Sequence, residues 1–329
     1  MPVDKVLMYL DNRPFAGPVT NTILEIKSMN HVRIPGALVV LAASLAVVGC
    51  GKKEEPKAAA PAAAPVAAAP APAKPEIIVV KIGHVAPLTG PIAHLGKDNE
   101  NGARLAIEDA NAKKVEIGGK VVQFELLGED DQADPKTGTV VAQKLVDAKV
   151  AGVVGHLNSG TTIPASAIYN QAGLPQISPS ATNPKYTQQG FNTAFRVMAN
   201  DIQQGSVVGT YAVKDLGGKK IAIIDDRTAY GQGLADEVEK AAKAAGATVV
   251  AREFTTDKAT DFKAILTKIK AKKPDVIFLG GMDAVGGPML KQIKELGIQA
   301  KFTTGDGGCS PELIKLAGPA SEGVICTQA

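Results

Sequence analysis

The segment GHLNSGTTIPASAIYNQAGLPQISPSAT, from Gly155 to Thr182, decides the predicted fold. Apolar runs over 150–155 and 174–177 have the length and composition of short buried strands. Between them, 161–171 has helical character, with Pro164 in the first turn, where proline is tolerated. Each predicted strand is followed by a loop rich in hydroxyl groups. Because ligands of open α/β sheets lie beyond the carboxyl ends of parallel strands, these two loops are the candidate binding site.

Alternating strand and helix patterns extend from this segment in both directions along the chain. Before it we predict strands at 77–84 and 121–127, a Gly/Pro loop over 86–97, and helices at 98–112 and 134–148. Such alternation predicts parallel sheets with right-handed crossovers. The pattern is repeated after residue 200, which predicts two lobes, 76–200 and 201–329, with a cleft between them.

Composition places the chain among globular α/β proteins. The 329 residues are 45% hydrophobic and only 4% aromatic, with no Trp, and the formal net charge is +3. A core of Val, Ile, Leu and Ala suits parallel sheets covered by helices. The near-neutral charge, without a basic stripe, argues against a nucleic-acid partner.

The first 75 residues have the composition of export and tether segments. We interpret 1–28 as an extension from a mis-assigned start codon and 29–49 as a signal peptide that ends at Cys50. A cysteine at that position predicts lipidation and a bacterial lipoprotein; the alternative for the apolar run is a transmembrane helix. Residues 50–75 are rich in Ala and Pro, which predicts a semi-rigid tether.

The motifs of common enzymes are missing from the sequence. There is no G-x-S-x-G nucleophile elbow and no H-E-x-x-H zinc motif, and 90–98 has the wrong spacing for a P-loop. His156 is interpreted as a structural hydrogen-bonding residue, and Asp130 and Asp131 as solvated charges. We therefore expect a binding protein rather than an enzyme, with no cofactor and no metal.

Several dispersed motifs resemble one family. They are GHLNSGTTIPASAIY, ISPSATNP, IGHVAPLTGPIAHLG, EDDQADPK, DDRTAYGQGLADEV and ASEGV. In their order along the chain they are similar to the periplasmic branched-chain amino acid-binding proteins, the receptors of ABC importers. The resemblance implies a type I fold, α/β and two-lobed, with a parallel sheet flanked by helices in each lobe. It also implies a monomer that delivers an amino acid to permease subunits in the membrane, and a returning C-terminal part of the first lobe that this sequence lacks.

The resemblance also assigns residues to the ligand. By motif position, Ser159 and Thr182 match hydroxyls that bind the ligand carboxylate, and Ser180 matches a position that gives main-chain contacts. Leu157 matches a carbonyl that accepts from the ligand ammonium. For Ser159 the alternative is a plain helix N-cap.

The second lobe supplies the remaining matches. Tyr230 matches an aromatic contact and Asp306 an acidic partner of the ammonium, although better-studied relatives carry Glu there; the alternative for Asp306 is an Asp-Gly turn. Leu95 and Met282 fall where relatives carry aromatic residues and are candidates for the cleft wall. These departures leave the side-chain preference of the site open.

Cysteine usage differs from that of relatives as well. The disulfide that some of them form would fall at Ala133 and Asn158, so it is absent here. Cys309 and Cys326 are left either to pair in an oxidising compartment or to remain free thiols.

The resemblance favours a receptor for a branched-chain or related aliphatic amino acid. The alternatives are a receptor of the same fold for an amide, urea or an aromatic acid, and the ligand-sensing domain of a signalling protein.

Overall fold

The computed structural model describes residues 76–329. The predicted start extension 1–28, signal peptide 29–49, lipidation site Cys50 and tether 50–75 lie outside the described residues.

The first half of the described chain forms a six-stranded sheet in the order β2-β3-β1-β4-β5-β6. All pairings are parallel except that of β2 with β3. The elements are β1 (Ile77–Ala86), α1 (Ala93–Ala112), β2 (Glu116–Ile117), β3 (Lys120–Asp130), α2 (Pro135–Asp147), β4 (Val153–Gly155), α3 (Ser159–Gln171), β5 (Gln176–Ser178), a 3-10 turn (Pro184–Thr187) and β6 (Ala194–Arg196).

The second half forms a five-stranded, wholly parallel sheet in the order β11-β10-β9-β7-β8. Its elements are α4 (Asp201–Lys214), β7 (Lys220–Asp225), α5 (Ala229–Ala244), β8 (Thr248–Phe254), α6 (Lys263–Lys272), β9 (Val276–Gly280), α7 (Asp283–Glu295), β10 (Lys301–Thr304), a 3-10 turn (Asp306–Gly308), α8 (Pro311–Ala317), a 3-10 turn (Gly318–Ser321) and β11 (Ile325–Cys326).

Two local predictions were wrong, and one alternative interpretation does not match the structure. The loop predicted over 86–97 is partly helical, because α1 already begins at Ala93. Ser159 is not an N-cap; it is the first residue of α3, and Asn158 holds the cap position. Asp131 is not a solvated charge but is fully buried, where its carboxylate contacts His156 Nδ1 at 2.9 Å. The contact with His156 gives the carboxylate a polar partner, which is why Asp131 can lie inside rather than in water.

The second sheet is covered on both faces. Along β9, Ile277 and Leu279 enter one core cluster, and Val276 and Phe278 enter the other. This alternation is the two-residue period of a strand between two helical layers. The core therefore holds the carboxyl ends of β7, β9 and β10 in fixed positions.

The first sheet is covered less evenly. A core cluster that includes Val85, Leu145 and Tyr169 lies between the sheet and the layer of α2 and α3. On the other face, Ile177 of β5 and Phe195 of β6 are register partners and are 41% and 48% exposed. Paired residues of parallel strands point to the same side, so these side chains form an exposed apolar patch.

Two features are absent from residues 76–329. In that range no helix is both long and apolar enough to span a bilayer. The same residues contain no group of three or more His, Cys, Asp and Glu that could hold a metal ion.

Candidate functional site

The candidate site lies where loops from the carboxyl ends of both sheets face each other. Loops after β4 and β5 bring hydroxyl groups from the first sheet, and loops after β7, β9 and β10 bring a phenol, a thioether and a carboxylate from the second. This is the position where parallel sheets bind ligands, because helix N-termini and strand ends converge there.

Ser159 opens α3 and faces the loop after β5. Its Oγ accepts a hydrogen bond from the backbone N–H of Asn183 at 3.1 Å, and the side chain is almost fully buried. No side chain caps α3. The first-turn amides of this helix therefore have no acceptor among the side chains, which favours an anion at this end.

Ser180 joins the two loops of the first sheet. Its hydroxyl lies 3.1 Å from both the carbonyl oxygen of Leu157 and Oδ1 of Asn99 on α1. The carbonyl of Leu157, predicted to accept from the ligand ammonium, is thus already in contact with one donor. Carbonyl oxygens have two lone pairs, so a second donor can still be accepted.

Thr182 is fully buried, and its Oγ1 has no hydrogen-bond partner among the described residues. Its carbonyl accepts from the backbone N–H of Asp201 at 2.9 Å. A buried hydroxyl without a partner is costly, and a ligand oxygen at this position would satisfy it.

In the second sheet, Tyr230 and Asp306 form a pair. The Tyr230 hydroxyl donates to Asp306 Oδ1 at 2.8 Å and accepts from the backbone N–H of Gly307 at 3.0 Å. Burial and the nearby Asp306 charge raise the pKa of Tyr230 well above its usual value. Burial likewise raises the pKa of Asp306, and the hydrogen bond from Tyr230 opposes this. The hydrogen bond from Tyr230 therefore holds the Asp306 carboxylate in place, where it can receive a cation.

Glycines beside Asp306 allow this close packing. A Cβ at Gly305 would lie 2.6 Å from Tyr230 Oη, and a Cβ at Gly307 would lie 2.6 Å from Met282 Sδ. The motif TTGDGG therefore has glycine where side chains would displace the phenol and the thioether. The structure brings Met282, a predicted cleft-wall residue, next to Tyr230 and Asp306.

Two hydrogen bonds cross between the halves near the site. Asn183 Nδ2 donates to the carbonyl of Ala229 at 2.7 Å, and His94 Nε2 lies 2.7 Å from Asp283 Oδ2. Asp283 is fully buried and also accepts from Ser310. Leu95, the other predicted wall residue, follows His94 in α1 and is partly buried. Its apolar side chain forms no hydrogen bond with the site. The Asn183 and His94 contacts therefore join the two halves beside the site.

Sequence reasoning missed two polar residues of the site. Asp201 and Gln204, on α4, are at least 97% buried, and none of their side-chain oxygen and nitrogen atoms has a hydrogen-bond partner of good geometry. Gln204 Oε1 lies 3.1 Å from the point where a Cβ on Gly305 would be. Neither residue belongs to one of the motifs that resemble the family. The local sequence of a helix also does not indicate which of its polar side chains will be buried.

Cys309 and Cys326 are joined by a disulfide with a Cα–Cα distance of 5.5 Å. The bond connects the turn that carries Asp306 to β11, the edge strand beside β10. The alternative of two free thiols is thus not what the structure contains.

His156 is part of a buried core network rather than of the site. Its Nδ1 contacts Asp131, and its Nε2 lies 3.1 Å from the Tyr169 hydroxyl, with all three side chains fully buried. The interpretation of His156 as a structural residue agrees with this network. A surface depression of about 350 Å³ near Val79 and Lys149 lies at the amino end of β1, away from the polar groups described above.

Hydroxyls and a free helix N-terminus on one side face a carboxylate on the other. This arrangement can hold a zwitterion, with its anion at α3 and its cation near Asp306.

Comparison with known proteins agrees with this fold. A family model described as "Periplasmic binding protein" matches residues 79–329. Over 248 residues the chain is 41% identical to the Leu/Ile/Val-binding protein homolog 1 of Brucella suis, which covers 75% of this chain and 66% of that relative. The chain therefore belongs to the periplasmic binding protein family, as the sequence motifs predicted.

Solved structures give the same fold. The leucine binding protein LivK of Thermotoga maritima matches with a TM-score of 0.69 and 29% identity, covering 74% of this chain and 68% of that one. The substrate binding protein LivJ of Streptococcus pneumoniae, in complex with isoleucine, matches with a TM-score of 0.65 and 31% identity, covering 73% and 68%. The predicted type I α/β fold, with parallel sheets flanked by helices, is confirmed. The chain spans 66% of the length of the Brucella relative.

Proposed function

We propose that this protein is the substrate-binding receptor of an ABC importer and binds a branched-chain or related aliphatic amino acid. Relatives named for leucine, isoleucine and valine support the ligand class. The observation that carries the proposal is that the two sheets bring opposite kinds of polar group to the site. The unpartnered Thr182 hydroxyl and the uncapped N-terminus of α3 lie on the first sheet, and the carboxylate of Asp306 lies on the second.

In this proposal the two lobes are 76–200 and 201–329, and the ligand lies between them. Ser159, Thr182 and the main chain at Ser180 hold the carboxylate, and Leu157 with Asp306 holds the ammonium. Tyr230 orients Asp306 through the 2.8 Å hydrogen bond, and Met282 and Leu95 form part of the wall that faces the aliphatic side chain.

The receptor would be exported and anchored through a lipid on Cys50, with residues 50–75 as a tether. After closure it would present the ligand to permease subunits as a monomer, without catalysis, cofactor or metal. The membership of the periplasmic binding protein family supports export and receptor function.

Calorimetry with L-leucine, L-isoleucine and L-valine tests the proposal on the full chain. Removing the partner of a buried charge costs about 3–5 kcal/mol, and losing one hydroxyl bond to a charged group about 1.5–3 kcal/mol. We therefore expect Asp306→Asn to weaken binding at least tenfold more than Ser159→Ala does.

Ser321→Ala is the matched control, because its hydroxyl donates only to the carbonyl of Gly318. It should bind like the wild type. Binding of a neutral amide, urea or an aromatic acid in preference to all three amino acids would overturn the ligand class. So would leucine binding by Asp306→Asn with unchanged affinity.

A further inference from the structure

Asp201 is a buried carboxylate without a counter-charge. It is the first residue of α4, its side chain is fully buried, and neither carboxylate oxygen has a hydrogen-bond partner among the described residues. Thr182 Oγ1 lies near it without good hydrogen-bond geometry. A buried ionised carboxylate must be paired with a cation or take up a proton.

Residues 76–329 do not provide that cation. Arg196 is the one basic group that acts on Asp201, and its guanidinium donates instead to the carbonyls of Ala181 and Asn183 at 2.7 and 2.8 Å. Asp306 and Glu237 add negative charge around Asp201. No ion pair among residues 76–329 includes Asp201 or Asp306.

Asp201 also lies near both Thr182 and Asp306, which are proposed to hold the carboxylate and the ammonium of the ligand. Its backbone N–H donates to the carbonyl of Thr182, and its Oδ2 lies near Gly233 of α5. Three residues later on the same helix face, Gln204 lies beside Gly305, which precedes Asp306. Asp201, Gln204 and Asp306 thus form a polar cluster in which neither carboxylate has an ion-pair partner among residues 76–329.

We infer that Asp201 is a second ligand-binding carboxylate, which shares the ammonium group of the ligand with Asp306. This inference rests on the proposed function. One primary ammonium has three N–H donors, so it can serve both carboxylates and the carbonyl of Leu157 at once. The consequence is specificity: an analogue with a hydroxyl in place of the ammonium would leave both carboxylates without a cation and would bind more weakly.

The protonation of Asp201 agrees with this role. Burial raises the pKa of Asp201 to about 7; the Thr182 hydroxyl opposes this shift and the nearby Asp306 charge contributes to it. A bound cation lowers the pKa of a neighbouring carboxylate. Binding of an ammonium at pH 6.5 should therefore expel a proton, since the ligand-free carboxyl is mostly protonated there.

The test uses calorimetry at pH 8 on the full chain with L-leucine and with 2-hydroxy-4-methylpentanoate, which has the same side chain and carboxylate but no ammonium. We expect Asp201→Asn to weaken leucine binding at least tenfold and to bind the hydroxy acid no more weakly than the wild type does. Asp215→Asn, at the exposed far end of α4, is the matched control and should change neither value.

Two further measurements separate a binding role from a structural one. Ligand-free Asp201→Asn should melt at a higher temperature than the wild type at pH 8, because it removes an unpaired buried charge. In the wild type, leucine titrations at pH 6.5 in buffers of different ionisation enthalpy should give release of about 0.5–1 proton per ligand.

The outcomes distinguish this inference from the proposed function. If the wild type binds none of the aliphatic amino acids, the proposed function fails. If the wild type binds leucine, and either Asp201→Asn binds it equally well or no proton is released, only the role of Asp201 is overturned.

Discussion

The disulfide between Cys309 and Cys326 should contribute strongly to the stability of the second half of the chain. The bond closes a loop over a sequence separation of 17 residues. In the chain-entropy model such a loop loses about 10.5 cal/mol/K in the unfolded state, which corresponds to about 3 kcal/mol at 25 °C. Its removal should lower the urea midpoint by about 1 M or more for a typical m-value.

Loss of the bond should also affect the binding site. Cys309 directly follows the turn that carries Asp306, and its backbone N–H donates to the Asp306 carbonyl at 2.9 Å. Cys326 is the register partner of Thr304, the last residue of β10. The bond therefore holds the Asp306 turn against the edge of the sheet, and the double variant Cys309→Ser/Cys326→Ser should bind leucine more weakly.

Urea unfolding with and without reductant is the assay. Wild-type protein should lose stability on reduction, and the double serine variant should be equally unstable in both conditions. Cys50→Ser is the control and should behave like the wild type. Thiol titration under denaturing conditions should show two additional thiols after reduction. The reasoning is refuted if that increase is absent, or if the double variant and the oxidised wild type share one urea midpoint.

Three other predictions concern groups outside the proposed ligand contacts. His94→Ala removes the 2.7 Å hydrogen bond across the two halves. Because the His94 side chain is 34% exposed, calorimetry should show only about fivefold weaker leucine binding. The control Lys97→Ala should bind leucine with unchanged affinity. Replacing both Ile177 and Phe195 by Thr should reduce non-specific aggregation at high protein concentration in sedimentation experiments, since it removes an exposed apolar patch, and an unchanged amount of aggregate would count against that view. Burial raises the pKa of Asp226 to about 6, so the folded state binds this proton more tightly than the unfolded state does. The free energy of unfolding should therefore fall as pH rises from about 4 to 7. Asp226→Asn should make this fall in urea midpoint less steep, and an equally steep fall would contradict the assignment.

Much of the fold could be predicted from local patterns. The strands predicted at 77–84 and 121–127 lie within the observed β1 and β3, and the helix predicted at 134–148 covers α2. Apolar runs, strand periods and turn residues are properties of neighbouring positions, so they are visible without the tertiary structure. The same holds for the hydroxyl-rich loops at Ser159 and Thr182, because they follow predicted strands.

The very short strand Ala194–Arg196 could not be recognised in this way. Its three residues carry no periodicity of their own, and it is a strand because it pairs with β5. The helical start at Ala93 was missed for a related reason, since glycine and proline in 86–97 suggested a loop and no side chain caps α1.

The sequence by itself therefore determined the α/β class, the order of most elements and the strand ends at which a ligand can bind. The tertiary structure alone decided which distant groups share one polar space. His94 and Asp283 are 189 residues apart, and Asp201 meets the Asp306 turn only through the packing of α4 beside β10. Whether a carboxylate is solvated or is buried without a partner depends on such packing, because desolvation is set by everything that surrounds the group and not by its neighbours in the chain.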